Sequence, residues 1–200
     1  MKKLIISIFL FALFSYAFAT PAQELSAELS KFKTYHANFS QVTKDSNGRV
    51  IQQSSGQMWL MPPGRFKWQA DKPTHQSIIT NGKYLWVYDA DLQQATQQVL
   101  NNKAHVNPVS ILSGSISDIQ TNFIVFPSSP GVFILKPKNQ NLDFKQIKLV
   151  FVNAKITKME VINNLDETTD FDFANIQINQ PLRADFFELN VPKDVDILKE

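Results

Sequence analysis

The chain opens on an almost unbroken apolar run, Leu4 to Phe18, behind the positive pair Lys2-Lys3. Ala17-Phe18-Ala19 then has the small-x-small form of a cleavage site. The run is borderline short for a membrane span, and no positive stop-transfer cluster follows it. Residues 1–19 therefore read as a secretory signal cut before Thr20, with an uncleaved N-terminal anchor as the alternative. Residues 20–200 read as a single domain. Its first segment, 24–33, places Leu25, Leu29 and Phe32 at i, i+4 and i+7, which predicts one apolar helix face. Thr20-Pro21 can start that helix, because proline suits the first helical position.

From Tyr35 onward the period changes to two. Strands are predicted at 36–43, 50–60, 65–70, 76–80, 83–88 and 93–100, the glutamines making the last the weakest of these patterns. Asp45-Ser46-Asn47-Gly48 and Asn81-Gly82 are hairpin turns. Met61-Pro62-Pro63-Gly64 breaks the pattern, since proline cannot donate to a ladder. In 65–70 the alternation is clean, with Phe66 and Trp68 on one side and Arg65, Lys67 and Gln69 on the other. Residues 107–112 predict a short helix with Asn107 as N-cap, Pro108 as first residue and Gly114 as its end. Strands resume at 122–126, 131–137, 143–152, 155–163 and 168–179. The expectation is an antiparallel sheet of about ten strands, too large to stay flat, that curls with its two helices packed on the concave side.

Charge and chemistry narrow what such a fold can do. The chain holds 20 Lys+Arg and 18 Asp+Glu; without Lys2 and Lys3 the counts are equal, so the mature chain is formally neutral. Nucleic-acid binding, which needs a clustered basic stripe, has no support. Cysteine is absent, which excludes disulfides, thiolate chemistry and an acylated N-terminal cysteine. His36, His75 and His105 show no zinc-ligand spacing. No GxSxG elbow, Ser-x-x-Lys pair or phosphate-binding glycine loop occurs. Asp166-Glu167 and Asp170/Asp172 read as a solvated turn and a polar strand face. No metal, no cofactor and no enzymatic activity are expected.

What remains is apolar surface. Of 16 Phe, four (Phe9, Phe11, Phe14 and Phe18) lie in the leader, leaving 12 beside three Trp. Trp59, Trp68 and Trp86 fall on three successive predicted strands. So much aromatic area either builds an ordinary core or lines an apolar cavity. The short helices, bearing Leu and Ile where they would cap such a cavity, leave both readings open.

Four segments carry a family pattern: Phe39-Ser40-Gln41 after an amphipathic helix; Gly56-Gln57-Met58-Trp59-Leu60-Met61-Pro62-Pro63-Gly64-Arg65-Phe66-Lys67-Trp68; Asn81-Gly82-Lys83-Tyr84-Leu85-Trp86-Val87-Tyr88; and Gln94-Ala95-Thr96 followed by the Asn107-Pro108 helix. In order and spacing the chain resembles the outer-membrane lipoprotein carrier family, LolA, across essentially all of its mature length. The resemblance implies a mainly β fold with short helices: an incomplete, unclosed antiparallel β-barrel covered by a helical lid. It also implies a monomeric periplasmic carrier whose cavity holds the acyl chains of lipoproteins. Such a carrier takes cargo from an inner-membrane lipoprotein-releasing ABC transporter and passes it to the outer-membrane receptor LolB. Carried over by position, the lid residues are Leu29, Phe32 and Leu112, and the cavity residues are Phe66, Trp68 and Met159. One departure stands out. Many family members have, directly before the first-sheet proline, an arginine that bonds to the lid; here that position is Pro62, and Arg65 should face away by alternation with Phe66. Other readings are a LolB-like receptor, a sensor of mislocalised lipoproteins and an enzyme acting on envelope lipids. The first lacks its anchoring cysteine, the second has no room for an extra domain, and the third offers no obvious dyad.

Overall fold

A computed structural model describes residues 19–100, 108–113, 116–192 and 195–199. The predicted leader up to Phe18, Asn107 and Gly114 lie outside them.

The first helix, α1 (Pro21–Leu29), begins earlier and ends earlier than its apolar spacing predicts. Thr20 caps it: its hydroxyl accepts from the Gln23 N–H while its own N–H donates to Gln23 Oε1 at 2.7 Å, a reciprocal capping box, and Pro21 follows. At the other end the Ser30 hydroxyl bonds back to the Ala27 carbonyl, and the Lys33 N–H is captured by Asn179 Oδ1 at 2.6 Å. Those bonds replace helical ones, so Phe32 lies in the link after the helix rather than on it. It stays buried nonetheless, its ring 5.3 Å from that of Tyr35.

Twelve strands follow: β1 (Tyr35–Lys44), β2 (Val50–Met61), β3 (Arg65–Lys72), β4 (Gln76–Asn81), β5 (Tyr84–Asp89), β6 (Gln94–Val99), β7 (Phe123–Ser129), β8 (Val132–Pro137), β9 (Phe144–Val152), β10 (Lys155–Asn163), β11 (Thr168–Ile178) and β12 (Asp196–Lys199). They form one sheet in the order β12-β6-β5-β4-β3-β2-β1-β11-β10-β9-β8-β7. Every pairing is antiparallel except β12 on β6. The two end strands, β12 and β7, do not meet, so the barrel is unclosed. Register shifts in β1, β2 and β10 bend the sheet. At Gly56 the β2 and β3 backbones come so close that a Cβ would lie 1.9 Å from the Gln69 carbonyl oxygen, which only glycine permits.

The turns match their chemistry. Asp45 accepts from the Asn47 and Arg49 N–H groups, and Asn81 Oδ1 from those of Lys83 and Tyr84. Strand β7 runs on past 126 because its Pro127 sits at a bulge on an edge strand, where no ladder donor is needed. The predicted helix at 107–112 is a 3₁₀ turn, Pro108–Ser113, as suits so short a piece. A second α-helix, α2 (Ile116–Asn122), a 3₁₀ turn, Ala184–Phe187, and β12 carried no strong sequence pattern.

The sheet has two unlike faces. On the inner one, Ala37, Phe39, Met58, Leu60, Phe66, Trp68, Leu135, Leu149, Met159 and Phe171 join α1, α2 and the 108–113 turn in one continuous core. On the outer face of β9 to β1, Lys44 pairs with Asp170 and Lys158 with Asp172. The outer face of β3 to β6 is covered instead by the segment after β11. Ile79, Trp86, Ala95 and Phe187 are buried there, apart from the main core.

Candidate functional site

The inner face is built around aromatic rings from non-adjacent strands. Trp68 on β3 reaches across β2 to stack on Phe39 of β1, with centroids 3.6 Å apart and planes at 23°. Strands two apart are separated by about 10 Å, so the two rings must lean together over β2. Gly56, opposite Phe39, puts no side chain between them. Phe171 meets the Trp68 ring edge-on at 5.6 Å, and Phe173 follows it at 6.5 Å. Phe66 lies 6.2 Å from Trp68 on the same strand face. Met159 is the cross-strand partner of Phe171. Edge-on and offset contacts of this kind are the favourable ones for aromatic rings.

The helices close this face. Leu25 and Leu29 come from α1, Ile111 and Leu112 from the 108–113 turn, and Ile119 from α2. The six residues singled out by family position all fall in this one cluster. Leu29, Phe32, Phe66, Trp68, Leu112 and Met159 are between 1% and 8% exposed. Side chains of α1, α2 and the 108–113 turn thus pack in one buried cluster with the rings of the sheet. Residues missed by the sequence reading are Tyr35, Met58, Ile119, Phe171 and Phe173. The alternation of Phe171 with Phe173 was a usable signal; the pairings that bring them to Trp68 were not.

The lid is tied to the sheet at the β2–β3 turn. Pro62 and Pro63 have no N–H to give, and the next residue supplies one: the Gly64 N–H donates to the Ser113 carbonyl at 2.7 Å. Gly64 can hold this turn because its φ is +72°, a region open to glycine. Arg65 alternates with buried Phe66 along β3, on the side of Lys67.

The other two tryptophans belong to the outer side. Trp59 stacks on His36 with centroids 4.9 Å apart and planes at 4°, and meets Phe186 edge-on at 5.3 Å. Lys67 Nζ lies 4.5 Å from the Phe186 ring centroid, and burial there lowers its ammonium pKa. Trp86 pairs with Ile79 in the outer layer. A cleft of about 480 Å³ beside the C-terminal segment has a mixed lining, with Lys67, Asp71 and Glu188 beside Ile79, Phe186 and Leu189. Among the described residues no group of three or more His, Asp or Glu is placed to hold a metal, and no helix is long and apolar enough to cross a membrane.

An aromatic half-barrel under a short helical lid is a geometry with known relatives. Residues 30–190 match the family model described as outer membrane lipoprotein carrier protein LolA. The outer-membrane lipoprotein carrier protein of Coxiella burnetii is 45% identical over 98% of this chain and 96% of its own length. That of Pseudomonas aeruginosa is 36% identical over 89% of this chain and 87% of its own. Among solved structures, an uncharacterized conserved protein of Thermus thermophilus superposes with a TM-score of 0.56 at 14% identity, covering 90% of this chain and all of the other. A LolA superfamily protein of Nitrosomonas europaea gives 0.50 at 12%, covering 86% and 99%. Those two likenesses bear on the fold, and the sequence relatives on descent: the chain belongs to the LolA family of outer-membrane lipoprotein carriers.

Proposed function

We propose that this chain is a periplasmic carrier that shelters the acyl chains of lipoproteins on the aromatic inner face once the lid lifts. The carrying observation is that one continuous aromatic face is covered by short helices rather than by a second sheet. Phe66, Trp68 and Met159 would line the cargo from the barrel side, and Leu29, Phe32 and Leu112 belong to the lid that covers them when the carrier is empty. Residues 1–19 direct export and are cut before Thr20, which leaves the α1 capping box whole.

The energetics suit transport. Burial of hydrocarbon is worth ~0.8 kcal/mol per CH₂, so a triacylated anchor needs cover on the order of tens of kcal/mol. Stiff aromatic walls supply part of it and demand no directional bonds from the cargo. In the empty carrier the lid occupies the same rings, so opening it costs contacts and lowers the apparent affinity for lipid. Loading then requires work from an inner-membrane ABC transporter, and release to the receptor LolB runs downhill without nucleotide. The carrier acts as a monomer and needs no cofactor.

The test is copurification from envelope extract. A soluble one-to-one complex with acylated lipoprotein is expected. Carrier that returns free of lipoprotein, with cargo left insoluble, would overturn the reading in favour of a plain core.

A further inference from the structure

Among the described residues, one buried side-chain polar atom has no hydrogen-bond partner: Ser26 Oγ. Ser26 is 3% exposed and sits on the core-facing side of α1, with Ala22, Leu25 and Leu29. The other buried polar side chains are engaged. Thr34 bonds to the Gln180 carbonyl, Thr43 to Thr169, and Thr80 accepts from the Gly82 N–H. One turn beyond Ser26, the Ser30 hydroxyl bonds back to the Ala27 carbonyl at 2.9 Å. A hydroxyl held without a partner in an apolar interior is a net loss that alanine would avoid, and alanine is also the better helix former.

We infer that Ser26 donates a hydrogen bond to an ester carbonyl of the acylated cargo. The inference rests on the reading of the inner face and lid as the acyl site. A hydroxyl on the apolar side of the lid helix has no acceptor while the lid is closed on hydrocarbon side chains. Acyl tails alone would offer none either. The ester carbonyls at the glyceryl end of each chain would, and in a water-poor site such a bond is worth having. Ser26 thus fixes which end of the lipid lies under α1: the glyceryl junction at the helix, the tails over the aromatic rings. It favours acyl esters over plain alkyl chains of equal length.

The test compares the full mature carrier with Ser26→Ala and Ser26→Thr. The probes are two diacylglyceryl-cysteine lipopeptides identical except that one bears ester-linked and the other ether-linked chains. Wild type is expected to bind the ester form roughly threefold to tenfold more tightly, the size of one neutral hydrogen bond. Ser26→Ala should bring that ratio close to one, and Ser26→Thr should keep most of it. An unchanged ratio in Ser26→Ala overturns the inference. So does an equal weakening of both probes, which marks a role in lid closure only. If neither probe binds wild type, the acyl-site reading itself has failed. Thermal melts give the folding control: Ser26→Ala should melt higher than wild type when empty.

Discussion

Replacing Leu112 by alanine should make the carrier less stable and bind lipid more tightly. Leu112 is 1% exposed, and it belongs to the 108–113 turn rather than to a strand, so its truncation removes lid contacts and leaves every sheet ladder intact. Truncating a buried leucine to alanine costs about 2–5 kcal/mol. If the lid must leave the rings for cargo to enter, most of that loss falls on the closed, empty state. The fraction of open carrier then rises by roughly 30-fold at the lower end of the range, and apparent affinity rises with it until the open state dominates. Ile79→Ala is the matched control. Ile79 is 4% exposed but lies in the outer layer, outside the main core, so it should lower the melting temperature without tightening binding. The assay is a titration of each variant with a fluorescent acyl lipopeptide, beside thermal melts. If Leu112→Ala melts early yet binds no better than Ile79→Ala, lid and cargo do not compete for the same surface.

Three further outcomes are expected. Phe66→Glu should put a carboxylate at the 1%-exposed centre of the inner face, impairing cargo handling while secretion continues; lipoprotein carried at the wild-type rate would remove Phe66 from the inner-face assignment. Acyl-ligand binding should perturb the fluorescence of Trp68 alone, so the change survives in Trp59→Phe and Trp86→Phe and vanishes in Trp68→Phe; a response that follows Trp86 would place the ligand on the outer side. Tyr35 is fully buried, its hydroxyl donates to the Ile156 carbonyl, and burial raises its pKa well above the ordinary phenol value. Its contribution is complete below pH ~10 and is lost as pH climbs toward the folded-state value, because only the unfolded chain then ionises. Denaturant melts above pH ~10 should therefore show a stability decline that Tyr35→Phe flattens, and equal slopes would refute it.

The strands were legible because alternation and turn chemistry agree along most of the chain. Asp45 and Asn81 each announce a hairpin and each build one with their own carboxylate or amide oxygen. The helix at α1 was legible in kind but not in extent, since Leu25, Leu29 and Phe32 keep helical spacing although Asn179, far along the chain, takes the Lys33 N–H. Three tryptophans on neighbouring strands looked like one cluster. The register splits them, with Trp68 inside and Trp59 and Trp86 outside. What divides them is the cover over the outer face, and that cover comes from residues around Phe186 and Phe187, whose short turn has no periodicity to read. The stack of Trp68 on Phe39 likewise depends on two pairings through β2, which no local window contains.

The bond from Gly64 to Ser113 joins main chain to main chain. An arginine latch carries a charge, so salt can screen it and substitution can delete it. A peptide N–H bonded to a peptide carbonyl neither titrates nor senses ionic strength, and only proline at position 64 could abolish its donor. This part of the lid's hold on the barrel rim is therefore the same at low and high ionic strength. Evolution can retune this bond only by reshaping the turn, whereas the apolar part of the hold, as at Leu112, stays open to exchange of one side chain.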